Sequence, residues 1–259
     1  MVFPLGDLQR TKIVPFATYV LIALNVMAYF VQLDHGEQFT TSFAATPIEI
    51  SHNEDIAAPF AIEIPRRVDL LGRDDGAPPR ERVIEQGPVP FPVWLTLFTA
   101  MFLHGSPLHL AGNMLYLWIF GDNVEEVLGT VRYIVVYLCC GLIASLAQIA
   151  AAPESPIPTL GASGAIAGIM GMYLVWFPYN RVRVLILRVI VDVPAVIVIG
   201  LWIGFQIWQG AGSLGRLGMT GGVAYLAHVG GAVTGIIIAF LFRNDARRLG
   251  QPTLFDVVR

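Results

Sequence analysis

The chain has 259 residues, 55% of them hydrophobic and 14% charged, with a mean hydropathy of +0.65 and a formal net charge of −3. Soluble domains carry about 25% charged residues, so this composition excludes a soluble globular protein and indicates an integral membrane protein. The slight negative charge leaves no basic face for phosphates, which excludes nucleic acid as a partner.

Residues 1–13 form a short polar segment containing Arg10 and Lys12, expected to lie in the cytoplasm. No cleavable signal precedes the apolar run 14–33, which is expected to be an uncleaved first span. The segment 34–92 contains Pro47, Pro59, Pro65, Pro78, Pro79, Pro88, Pro90 and Pro92 and mixes acidic and basic residues around GRDDGAPPRER. Prolines this dense discourage long helices and central strands. The expectation is an irregular outer loop, partly disordered over 72–82. The run VWLTLFTAMFLH, 93–104, is too short to span and reads as an interfacial or re-entrant helix. Further spans are expected at 107–128, 131–152, 161–177, 189–209 and 223–242, followed by a cytoplasmic tail, 243–259. The fold class is thus an all-α membrane protein, a bundle of six transmembrane helices with a long proline-rich outer loop between the first two. Cys139 and Cys140 are neighbours on one helix and point about 100° apart, which disfavours a disulfide. Both are expected to be small core residues.

Basic residues set the orientation. Arg10 and Lys12 precede span one, Arg181, Arg183 and Arg188 lie between spans four and five, and Arg243, Arg247 and Arg248 follow span six. The loop AAPESPIP has none, and the loop before span six has only Arg216. The positive-inside rule then places both termini in the cytoplasm. Every even-numbered span starts at the outer surface.

The polar residues inside these spans lie at one depth. Span two opens with HGSPLHLAGNM, carrying His104, His109 and Asn113; span four opens with Ser163; span six opens with GGVAYLAHVGGAVTG, carrying His228. His109 and Asn113 share a helix face at i, i+4. Intramembrane polar groups are costly and mark functional sites. Gly164 and Gly168 form a GxxxG on span four, and Gly231 and Gly235 form another on span six. Such pairs let helices approach closely in lipid. The two spans run in the same direction, so matching the pairs brings Ser163 toward His228, a nucleophile and its base. Taken singly, Ser163 reads as a packing residue and His228 as a satisfied core residue. His104 alone reads as an interfacial residue at a helix end. Their convergence favours a catalytic site. A zinc protease would need HExxH, which is absent; Asp122 and Asp192 lie at the wrong ends of spans for an aspartyl type. No inverted repeat relates the halves as in a transporter.

The motifs GASGAIAG at 161–168, AHVGG at 227–231 with Gly235 beyond, HGSPLHLAGNM at 104–114 and YLWIFGDNVEEVLG at 116–129 resemble the rhomboid family of intramembrane serine proteases. The resemblance covers roughly 93–242, taken as the catalytic core. It implies a Ser163–His228 dyad, with His109, Asn113 and the backbone amide of Ser163, beside Gly161, forming an oxyanion hole. It makes His104 structural, like the helix-packing Gly164, Gly168, Gly231 and Gly235. It implies other proteins' transmembrane segments as substrates, membrane lipid as surroundings, and no metal, cofactor or nucleic acid. The expected setting is a bacterial plasma membrane. Two departures stand out. The family often has an aromatic four residues after the serine, packed on the catalytic histidine, where this chain has Ala167; another residue must orient His228. The family's Trp-Arg pair in the outer loop is also missing from 34–92. The alternative function is a catalytically silent rhomboid-like protein that binds client helices, which would be expected to lack Ser163 or His228. Substrate access is expected beside span five, kinked at Pro194.

Overall fold

The computed structural model of the chain describes residues 2–9, 11–64, 80–213, 224–250 and 253–254. Arg10, Arg216, Pro65 and the stretch 72–79 therefore lie outside the described residues.

The elements run β1 (Val2–Asp7), α1 (Phe16–Phe43), α2 (Pro47–His52), β2 (Phe60–Ile64), β3 (Arg80–Ile84), α3 (Thr96–Thr99), α4 (Pro107–Leu128), α5 (Thr130–Ala151), α6 (Ser163–Trp176), β4 (Arg181–Ile186), β5 (Val189–Pro194), α7 (Ala195–Ser213), α8 (Tyr225–Leu241) and α9 (Arg243–Arg248). Short 3₁₀ turns flank α3, so 93–102 is a broken helical stretch. Among the described residues three helices, α1, α5 and α7, are long and apolar enough to cross a membrane. Helices α6 and α8 are apolar but shorter. At 14 residues, α6 is about 21 Å long against a hydrocarbon core of about 30 Å.

Helix α6 is the centre of the bundle. It is apolar on every side, and such a helix must be buried all round; α4, α5, α7 and α8 surround it. Its most extensive contact is with α8. The main core sets Tyr133 and Tyr137 of α5 and Phe120 of α4 against Tyr173 and Trp176 of α6. Trp176 also donates its indole N–H to Ala239 O of α8 at 3.0 Å.

A buried carboxylate fixes where α1 begins. Pro15 offers no side-chain cap, and a helix start leaves amides without partners. Glu125 of α4, fully buried, accepts from the amides of Ala17 and Thr18 and from Thr18 Oγ1, each at 2.9 Å. The acid in the middle of YLWIFGDNVEEVLG is thus an N-terminal cap supplied from another helix.

Several expectations are corrected. The chain is mostly helical but not all-α. A three-stranded antiparallel sheet, in the order β1-β4-β5, lies at the C-terminal end of α6, and β2 pairs with β3 in an antiparallel hairpin. The first span runs past residue 33 to Phe43, broken only at Gly36, where φ is +81°. The segment 34–92 is therefore not mainly irregular among the described residues. Pro47 heads α2, at a position where its missing N–H costs nothing. Residues 189–194, read as the start of span five, form β5 instead; the β-branched run VIVDV favours a strand, and Pro194 ends that strand rather than kinking a helix. Both cysteines are free, and Cys140 is buried, but Cys139 is exposed on the outside of α5.

Candidate active site

The loop that delivers Ser163 is braced by the segment following α1. Ala45 and Thr159 exchange backbone hydrogen bonds at 3.0 and 2.9 Å, and Ile48 N donates to Ser155 O at 3.1 Å. Gly161 N donates to Ala100 O at 2.8 Å. The φ of Gly161 is +129°, and a Cβ there would lie 2.9 Å from His109 Cε1. Backbone conformation and the His109 ring each require glycine. Two residues later, Ser163 is the first residue of α6, so its amide and the next two have no acceptor within the helix and carry the positive end of its dipole. The Cβ position on Gly161 is 3.1 Å from His109 Nε2 and 3.7 Å from Ser163 Oγ, so imidazole and hydroxyl flank the same small space.

His228 reaches this space because four glycines let α8 press against α6. A Cβ on Gly231 would overlap the carbonyl oxygen of Gly164, and one on Gly235 that of Gly168. The two GxxxG pairs thus meet in register, and His228 Nε2 stands 2.8 Å from Ser163 Oγ. On its other side, His228 Nδ1 is 2.9 Å from Gln206 Oε1 of α7. An amide oxygen can only accept. Nδ1 therefore carries the proton, and Nε2 is left to accept from the serine hydroxyl. Trp202, one turn before Gln206 on the same face of α7, lays its ring against the imidazole with centroids 5.6 Å apart and planes 36° apart. Trp202 and Gln206 fill the orienting place that Ala167 leaves open. The sequence reading missed both residues. The available signal was a glutamine inside an apolar span with a tryptophan at i−4.

The remaining predicted residues form a second layer. The ring of His109 packs edge-on against that of His104 at 5.1 Å, and the amide of His109 is held by Ser106 Oγ, the cap of α4, at 3.1 Å. Asn113 Nδ2 donates to His104 Nε2 at 2.9 Å, so its amide group is engaged by His104 in this arrangement. His104 is tied in turn to α1, its amide donating to Gln32 Oε1 at 2.9 Å and its carbonyl accepting from Gln32 Nε2 at 3.3 Å. The His104 ring is buried, with that of His109 alongside. Among the described residues no cluster of His, Cys, Asp or Glu can hold a metal ion.

Behind Ser163 lies a cavity of about 30 Å³, lined by Gly161, Ala144, Ser145, Gln148 and Ala227 among others. That is room for about one water or a small side chain. Gln148 Oε1 on its wall is buried and has no hydrogen-bond partner.

The model of the rhomboid domain matches residues 92–245, more than half of the sequence. The chain belongs to the rhomboid family. Among its relatives, the rhomboid protease GluP of Bacillus subtilis is 34% identical over 139 residues, 53% of this chain and 26% of that protein. Rhomboid protein 1, mitochondrial, of Saccharomyces cerevisiae is 30% identical over 167 residues, 62% of this chain and 45% of the other. Rhomboid-like protein 11, chloroplastic, of Arabidopsis thaliana is 30% identical over 159 residues, 58% and 53% of the two chains. The chain spans from about a quarter to about half the length of these relatives. The rhomboid match takes in α4 to α8 and with them every residue gathered around Ser163 except Gln32, Ala45 and Ile48.

Proposed function

We propose that this rhomboid protein is a serine-type intramembrane endopeptidase that hydrolyses peptide bonds in or near the transmembrane segments of other membrane proteins. The observation that carries the proposal is the line Ser163 Oγ, His228 Nε2, His228 Nδ1, Gln206 Oε1, with contacts of 2.8 and 2.9 Å. Ser163 attacks the scissile carbonyl while its proton passes to His228 Nε2. The imidazolium so formed keeps its Nδ1–H on the Gln206 carbonyl. The developing oxyanion is received by the free amides at the start of α6 and by His109, each such donor being worth on the order of 10²–10³ in rate. Asn113 supports this set through His104. His228 then returns its proton to the departing amine, and a water, activated by the same imidazole, cleaves the ester. Gln148 and the cavity behind Ser163 offer a place to hold that water or a small substrate side chain.

In this reading the chain crosses the membrane six times, through α1, α4, α5, α6, α7 and α8, with both termini cytoplasmic and 93–242 as the catalytic core. A short α6 starts below the outer surface, at the floor of a wet cavity where irregular backbone is tolerated. A plasma membrane in a bacterium is the proposed location. Substrate helices approach beside α7, which faces lipid with Leu201 and Trp208, and unwind near their outer ends. The test is cleavage of model single-span proteins in proteoliposomes, with products mapped by mass spectrometry. Cleavage by the native chain that disappears in Ser163→Ala and in His228→Ala supports the proposal. Cleavage that persists in Ser163→Ala refutes it.

A further inference from the structure

The sheet at the C-terminal end of α6 has an unusual tip. Along β4, Val182 and Val184 are buried in the main core beside Ala195 and Ile199 of α7, while Arg181 and Arg183 face outward. One face of the sheet therefore lies on the end of the bundle. Beyond Val184 this alternation stops, and the two-residue turn between Ile186 and Val189 leaves both faces bare. Leu187 is 84% exposed, Val189 61% and Ile190 57%. Four apolar residues in a run of five, ILRVI, thus overhang the edge of the bundle.

We propose that this hairpin tip inserts into the interfacial zone of the adjacent leaflet, with Arg188 on anionic lipid headgroups. Three features of the structure select lipid as the occupant. The tip is continuous with the membrane, because Pro194 of β5 leads directly into α7, whose Leu201 and Trp208 are each 70% exposed. Its charge is complementary: three arginines stand against Asp192 alone, and Asp192 is taken by Arg183 at 3.0 Å. Arg188, at the apex, has no ion pair among the described residues and can follow its apolar neighbours to the surface with its guanidinium in the headgroups. The depth is limited as well. β5 is the edge of its sheet, and its unpaired amides and carbonyls require hydration, which the hydrocarbon does not supply. The tip therefore lies in the plane of the interface and steadies the base of α7. Which leaflet this is rests on the orientation given above, but insertion itself does not.

The test places an environment-sensitive fluorophore at Leu187→Cys in a Cys139→Ala background, since Cys139 is the exposed native thiol. The reference is Asn244→Cys on α9, an exposed site at the same end of the protein. The full chain is reconstituted in phosphatidylcholine vesicles containing phosphatidylglycerol, with phosphatidylcholine brominated near the headgroup as quencher. Quenching at 187 about threefold or more above that at 244 is expected for an inserted tip. It should fall by about half when Arg188→Gln is added or phosphatidylglycerol is left out, as the headgroup attraction is lost. Equal quenching at 187 and 244 overturns insertion, as does quenching at 187 that appears only on dilution of protein in lipid, the sign of a tip covered by a second copy. Strong quenching indifferent to Arg188 and to phosphatidylglycerol overturns the headgroup contact. None of these readings depends on hydrolysis, so they stand apart from the catalytic proposal.

Discussion

Replacing Gln206 by leucine keeps the volume of the side chain and removes the acceptor on His228 Nδ1. Gln206 is buried and its oxygen is 2.9 Å from the ring nitrogen, so water does not take its place. In the resting site the lost bond is neutral, worth about 0.5–1.5 kcal/mol net, but beside the imidazolium of the transition state it is worth about 1.5–3 kcal/mol. Without the acceptor the ring is also free to move its proton to Nε2, which leaves Ser163 without a base. The difference between the charged and the neutral bond, about 1–1.5 kcal/mol, should therefore lower the rate by about 5- to 13-fold at 1.36 kcal/mol per decade. The loss should appear in kcat with KM unchanged, because Gln206 contacts the histidine rather than the substrate. Gln206→Glu, which retains an acceptor, should keep activity within about threefold. The assay is initial cleavage rate of a quenched-fluorescence transmembrane substrate in proteoliposomes, with thermal unfolding in detergent as the control for folding. A folded leucine variant within about threefold of native kcat, or a loss confined to KM, would refute the reasoning.

Gly235→Ala should separate α8 from α6, since its Cβ would overlap the backbone of Gly168; a cost of about 1–3 kcal/mol or more in stability and a loss of at least about tenfold in cleavage are expected. Gly112→Ala, with nothing within 4 Å of the added Cβ, is the neutral control, and equal effects in the two variants would count against the matched glycine pairs. Glu125→Ala should lower stability by about 2–6 kcal/mol, because the amides of Ala17 and Thr18 lose their acceptor in a buried site; chemical denaturation measures it, and a loss under about 1 kcal/mol contradicts the capping role. Glu49 is buried on α2, and burial raises its carboxyl above the ordinary 4.5. A raised folded value means that its contribution to stability is complete below the unfolded value and is lost as pH rises through the folded one. The melting temperature of the native chain should thus fall, relative to that of Glu49→Gln, as pH increases from about 4.5 upward, and the opposite slope would show that the carboxylate is favoured by folding.

The meeting of Ser163 and His228 was legible because lipid penalises unpartnered polar groups, and the matching glycine pairs fixed which helix faces meet. The contribution of α7 was not. Gln206 and Trp202 sit among Ile, Leu and Phe, and the glycine pair beside them, Gly200 and Gly204, meets nothing within 4 Å, so only the folded bundle shows that their face meets the imidazole. Asn113 illustrates the same limit: spacing placed it on one face with His109, but its amide is engaged by His104, whose ring enters from outside the helix. Hydropathy also misread VIVDVP, since a buried helix and an exposed strand both present apolar runs; its partner β4 lies across a turn, and β1, which pairs with the other edge of β4, lies far away in the sequence. Density of proline concealed the order in 34–92, where Pro47 starts a helix and Ala45 pairs with Thr159.

Fluorophosphonate labelling of the purified chain, with the adduct located by mass spectrometry, tests the central claim most directly, since the probe needs an activated serine and no knowledge of the substrate. The account predicts a phosphonate on Ser163 in the native chain, absent in Ser163→Ala and lost or greatly slowed in His228→Ala. A native chain that is folded and stays unlabelled, or labelling equally strong without His228, would contradict it.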